Sequence, residues 1–207
     1  MKYIFVAGAP GSKWSSVVKN IYYSESIDQS DSAADRQWFH SATGLDTPMH
    51  LGVYWDPGME FDIPECCNNL TKEQAETIFD RPFSGTGVKI IKSHVFGLKE
   101  NIEWLRTTWP ESPIVMVYRS SDACLGWWYR CGGWNIKYPD YSVYYQTTEN
   151  LARQIDRQNT GIAWAMRKYP RRTPQNNREL AEILSIKQPE TVWQHCYAQH
   201  DIQVEVI

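Results

Sequence analysis

The stretch IFVAGAPGSKWSSVV, Ile4 to Val18, decides how this chain is read. Ile4 to Ala7 make a short apolar strand, Gly8, Pro10 and Gly11 turn the chain, and the residues from Trp14 onward support a helix. Strand, glycine-rich turn and helix aim several backbone N–H groups and a helix N-terminus at one point, which suits a phosphate or a similar tetrahedral anion. Ala9, Pro10, Gly11, Ser12, Lys13, Trp14, Ser15 and Ser16 are therefore the candidate anion-binding segment.

Further strand-like runs are Val88–Lys92, Ile114–Tyr118 and Ile202–Val206. Helical candidates lie between them: Trp14–Tyr22, Lys72–Phe79, Leu98–Trp109, Asp122–Tyr129, Glu149–Tyr169, Asn177–Leu184 and Glu190–Gln199. In the longest, Leu151, Ile155, Ile162, Met166 and Tyr169 fall on one helical face. Thr71 and Gln74 have the spacing of a capping box. Apolar strands alternating with helices predict an α/β fold, a three-layer sandwich around a mainly parallel central sheet. No internal repeat or charged linker divides residues 1–207, so one domain is expected.

The net charge of −3 gives no global field toward nucleic acid or an acidic membrane surface. No run approaches the ~20 apolar residues that cross a bilayer, and the reading is of a soluble, cytoplasmic protein. The five cysteines match no zinc spacing and read as reduced thiols. Ten tryptophans and twelve tyrosines are a heavy aromatic load, and several fall in two loop-like segments, Ser24–Pro64 and Cys131–Tyr145. His50, Tyr54, Trp55 and Trp134 are the candidate walls of an acceptor pocket, suited to a sugar, a phenol or a lipid-like alcohol.

Three strands end in polar residues that can do chemistry. The first runs into the Gly8–Ser16 loop, the second into Lys92-Ser93-His94, and the third into Arg119-Ser120-Ser121-Asp122. If these strands are parallel, all three ends share one sheet edge, where ligands of open α/β sheets sit.

From Tyr3 to Tyr129 this succession resembles the sulfotransferase family that uses 3′-phosphoadenosine 5′-phosphosulfate, whose fold is P-loop NTPase-like. In that family a strand-loop-helix motif reading roughly P-K/R-S-G-T-T/S holds the 5′-phosphosulfate. A downstream lysine-threonine-histidine supplies the base, and a strand ending V-Y-R, then an aspartate and a serine, holds the 3′-phosphate. Lys92-Ser93-His94 and Val117-Tyr118-Arg119 with Asp122 follow this order.

The resemblance implies that His94 is the general base. It gives Lys13 the charge on the departing phosphate, places Lys92 near the transferred group, and has Arg119 grip the 3′-phosphate. Trp14 is then a candidate to stack on adenine. The chain departs from the pattern at Gly11, where the family carries its basic residue, and Lys13 follows two positions later. It departs again at Gly126, where the 3′-phosphate serine is expected; Ser120 and Ser121 are the candidate replacements. Lys168, Arg171, Arg172 and Arg178 form a basic cluster that could stand in for the family's C-terminal basic segment. The implied reaction passes a sulfuryl group to a hydroxyl or amine of a small-molecule or glycan acceptor and requires no metal.

Two other readings stay open on these residues. One is a nucleotide or small-molecule kinase, although Trp14 follows Lys13 where a Walker loop needs a hydroxyl. The other is a binding protein of the same fold without turnover.

Overall fold

The computed structural model describes residues 1–32, 51–136, 140–187 and 196–207. A four-stranded sheet runs in the order β2-β1-β3-β4, formed by β1 (Tyr3–Gly8), β2 (Lys89–Ser93), β3 (Ile114–Tyr118) and β4 (Gln203–Val206). β1 pairs parallel with β2 on one side and with β3 on the other, and β4 closes the sheet antiparallel to β3. All six residues of β1 are buried, which accounts for its unbroken apolar run. β4 is the exception in direction, and its buried Glu205 accepts from Thr173 Oγ1 at 2.6 Å and lies 3.4 Å from Arg171 Nε.

Seven α-helices occur among the described residues: α1 (Trp14–Tyr22), α2 (Lys72–Asp80), α3 (Lys99–Thr108), α4 (Ser121–Arg130), α5 (Tyr141–Tyr144), α6 (Thr148–Lys168) and α7 (Asn177–Leu184). Period-two alternation sorts the strand side chains onto two faces. Tyr3, Phe5, Ile91 and Met116 pack with Phe79 of α2, Leu105 of α3 and Ile162 of α6. Ile4, Val6, Ile90 and Val117 pack with Val17 and Ile21 of α1 and Leu180 and Leu184 of α7. This gives the expected α/β arrangement, a helical layer on each face of a mainly parallel sheet.

The ends of most elements lie within a residue or two of the sequence reading. At α2 the capping box forms, Gln74 N–H donating to Thr71 Oγ1 at 3.3 Å and Thr71 N–H to Gln74 Oε1 at 2.9 Å. The expected helix over Glu190–Gln199 is a different matter. Residues 190–195 lie outside the described residues, and Tyr197–His200 is a 3-10 turn that stops at Asp201, where φ is 55°. Long α6 crosses close to the turn after β2. A Cβ on Gly161 would stand 2.2 Å from the carbonyl oxygen of Gly97, so only glycine permits this approach.

Candidate functional site

Because β1, β2 and β3 are parallel, Gly8, Ser93 and Tyr118 end at one edge of the sheet. The first loop turns there through Gly11 at φ 80° and Lys13 at φ 65°. Gly11 lies against α4, and a Cβ on it would meet the carbonyl oxygen of Cys124 at 1.9 Å. No side chain fits at that position, so a basic residue has no room there. Lys13 supplies the loop's cation from two positions further on.

Ser12 N–H closes onto the Ala9 carbonyl at 3.0 Å, and Ser16 donates to the Lys13 carbonyl from its N–H at 3.1 Å and its hydroxyl at 2.7 Å. The N–H groups of Gly11, Lys13 and Trp14 donate to no described group. Nor does the buried hydroxyl of Ser12 find a partner among the described residues. α1 begins at Lys13 without a side-chain cap, and α4 begins at exposed Ser120 without one. Both helix starts therefore keep their donors for an added anion.

Lys13 and Arg119 meet at Trp127 of α4. Nζ of Lys13 is 4.6 Å from the indole centre, and Cζ of Arg119 is 5.9 Å from it. Lys13 also donates to the His200 carbonyl at 3.2 Å. Arg119 is buried and donates from Nη1 to the Ala123 carbonyl at 2.8 Å, while its Nε has no described partner. Burial and then the Arg119 charge hold the Lys13 ammonium below its ordinary pKa, against a smaller opposing pull from Asp201. Among the described residues neither cation forms a salt bridge. Asn159 of α6 fixes the turn behind them, donating to the Arg119 carbonyl at 2.8 Å and to the Ser121 hydroxyl at 3.3 Å.

At the end of β2, Lys92, Ser93 and His94 are all buried. Asp56 organises this turn, one carboxylate oxygen accepting from the Ser93 hydroxyl at 2.7 Å and from the His94 N–H at 2.6 Å. Nδ1 of His94 lies 2.5 Å from the Gly8 carbonyl, which can only accept, so Nδ1 carries the proton. Nε2 is left as the basic atom and faces the Tyr141 hydroxyl at 3.4 Å. Burial lowers the His94 pKa, with Asp56 and the Gly8 bond opposing, which keeps the ring neutral at pH 7. Lys92 donates to the Leu51 carbonyl and lies 4.3 Å from the Tyr54 ring centre. Its burial pulls the ammonium down to about 8, with Asp31 and Asp56 acting the other way.

Trp14 does not present an open face for a base. It is buried and stacks on His94, ring centres 4.2 Å apart and planes inclined by 23°. Tyr54 packs on Trp14 at 5.7 Å and on His94 at 6.2 Å, whereas Trp55 turns to the other face of the sheet and packs among Phe61, Phe79 and Phe83. Trp55 is thus a core residue and does not wall the site. Trp134 reaches His94 only through other rings, Trp128 and then Tyr141. His50 lies outside the described residues. The basic cluster is dispersed: Lys168 pairs with Glu103 at 2.6 Å and Arg178 with Glu182 at 3.1 Å.

Trp127, Asp56 and Tyr141 join the site without having been picked out from the sequence. Asp56 lies within the aromatic stretch His50–Phe61, directly after Tyr54 and Trp55, and shares that stretch with a second carboxylate, Glu60, so the sequence carries no signal that singles it out. No protein-family model, curated protein or solved structure matches this chain.

Proposed function

We propose that the chain is a sulfotransferase with a P-loop-like donor site, passing a sulfuryl group from 3′-phosphoadenosine 5′-phosphosulfate to an acceptor hydroxyl or amine. The observation that carries this reading is the pairing of Lys13 and Arg119 at Trp127, beside three undonated loop amides and two uncapped helix starts. Two cations brought together without a carboxylate partner fit a ligand with two separate anionic groups. Lys13 and the amides of Gly11, Lys13 and Trp14 would hold the phosphosulfate, with Arg119 and the start of α4 on the 3′-phosphate.

Bound there, the donor supplies the sulfuryl group, its bridging S–O bond breaking as the acceptor oxygen bonds sulfur. His94 is the base: neutral, with Nδ1–H held by Gly8, it takes the acceptor proton on Nε2. Tyr141 must first give up its position at Nε2. Lys92, two residues before His94 and buried, supplies positive potential to the reacting group.

Calorimetric titration with 3′-phosphoadenosine 5′-phosphate, against ATP with and without Mg²⁺, tests the reading. Metal-independent binding that prefers the 3′-phosphate is expected. Preference for Mg-ATP would favour a kinase instead.

A further inference from the structure

At the edge of the sheet opposite the candidate site, the loop before β3, the last residues of α7 and the end of β4 border an open cavity of about 500 Å³. That size is ordinary for a small-molecule site. Pro110, Pro113, Ile183, Leu184 and Ile207 give it apolar lining. Arg106 of α3 and Arg172, beyond the end of α6, also line it, and Glu111 is the one carboxylate side chain among the lining residues. Its charged side chains are thus net positive, in a chain whose net charge is −3.

Arg172 belongs to the basic cluster Lys168, Arg171, Arg172 and Arg178, whose other members are occupied. Lys168 pairs with Glu103, Arg178 with Glu182, and Arg171 with Glu205 while donating to the Met166 carbonyl. Among the described residues the Arg172 guanidinium has no hydrogen bond or ion pair, and neither has that of Arg106. Both residues are nonetheless held in place. Arg172 N–H donates to the Val206 carbonyl at 3.0 Å, and its own carbonyl accepts from Val206 N–H at 2.9 Å, which ties its backbone to β4. Arg106 lies over the Tyr169 ring, 5.6 Å from its centre. Ser112 lines the same cavity although only 4 % exposed, and its hydroxyl has no described partner either.

Two guanidiniums at one cavity repel each other, and an anion between them offsets that repulsion while accepting from their forked donors. A serine hydroxyl can add one more donor. The apolar lining favours a ligand with an organic body over an inorganic ion, and Glu111 acts against a highly charged one.

We propose that this cavity binds a small amphipathic organic anion, one acidic head group on an apolar ring or short chain. The head group, a carboxylate, phosphate or sulfate ester, accepts from Arg106, Arg172 and Ser112, and the body covers the prolines, Leu184 and Ile207. The site is separate from the Lys13–Arg119 pair and does not depend on sulfuryl transfer.

Calorimetric titration of the full chain at neutral pH tests the site. The probes are 2-naphthoate, 2-naphthyl phosphate and 2-naphthyl sulfate, with neutral 2-naphthol and inorganic phosphate as comparators. At least one naphthyl anion should bind, about tenfold or more tighter than either comparator. Arg106→Gln and Arg172→Gln should each weaken it about tenfold, and Glu111→Gln should tighten it about threefold. Since neither guanidinium has a described polar partner, melting temperatures of the arginine variants should hold, separating lost binding from lost folding. Excess 3′-phosphoadenosine 5′-phosphate should leave the affinity unchanged. Silence from all three anions, or wild-type affinity in the double variant Arg106→Gln/Arg172→Gln, would overturn the proposal. So would displacement by 3′-phosphoadenosine 5′-phosphate, which would put the anion at Lys13 and Arg119 instead.

Discussion

Replacing Lys92 with methionine should raise the stability of this fold at neutral pH while stopping transfer. Lys92 is 4 % exposed, and its burial outweighs the pull of Asp31 and Asp56, so its ammonium titrates at about 8 instead of 10.5. That depression corresponds to ~3 kcal/mol against the charged form in the folded state. Below pH 8 both folded and unfolded chains hold the proton and the full cost is present. Between pH 8 and 10.5 the unfolded chain binds more protons, so wild-type stability climbs, and above 10.5 the cost is gone.

Methionine keeps the stem and removes the charge, losing the bond to the Leu51 carbonyl, worth ~1 kcal/mol. The variant should therefore be more stable than wild type by ~2 kcal/mol at pH 7. The advantage should shrink through pH 8 to 10.5 and then reverse. Urea unfolding of both proteins across that range reads the difference directly, because all other titrations are shared. Destabilisation at pH 7 by ~3–5 kcal/mol would refute the reasoning, since it would mean Asp31, Asp56 and Lys92 form a net favourable buried ion cluster. Gained stability with lost activity would mark Lys92 as kept for function.

His94→Ala should remove ~10²–10⁴-fold of transfer yet leave binding of 3′-phosphoadenosine 5′-phosphate intact, and equal rates would end the base assignment. Because burial lowers the His94 pKa, the acid limb of the pH–rate profile should fall below the ordinary 6.5. Wild-type stability should drop as pH falls below 6.5, where only the unfolded chain readily takes the proton, and His94→Gln should flatten that drop in acid denaturation. Gly11→Ala forces a Cβ onto the Cys124 carbonyl at φ 80° and should cost about 3 kcal/mol, read as a lowered urea midpoint. Gly126→Ser, by contrast, enters open space on an exposed helix turn and should add ~0.5 kcal/mol. A tighter complex of Gly126→Ser with 3′-phosphoadenosine 5′-phosphate would place the 3′-phosphate near that turn.

Much of this fold was legible because its signals are local. The loop after β1, the capping box at Thr71 and the bounds of α1 and α7 depend on residues a few positions apart, whose backbone preferences and side-chain reach act within one turn. The apolar runs of β1, β2 and β3 likewise announce buried strands, and parallel pairing then carries their polar ends to one edge. The direction of β4 was not legible, since a short strand alternating polar and apolar residues, Gln203–Val206, pairs either way.

What the tertiary structure alone decided is which distant residues touch. Gly11 excludes a side chain because α4 presents the Cys124 carbonyl there, and Lys13 meets Arg119 because Trp127 offers both the same ring. Trp14 and Tyr54 go to His94 whereas Trp55, next in the chain, goes to the opposite face of the sheet. His94 itself illustrates the division. Its presence at a strand end is written in the sequence. The proton on Nδ1, the basic nitrogen under Tyr141 and the neutral ring follow from burial and from Gly8, 86 positions away. Those properties come from desolvation and from groups delivered by other elements, and no window of neighbouring residues encodes them.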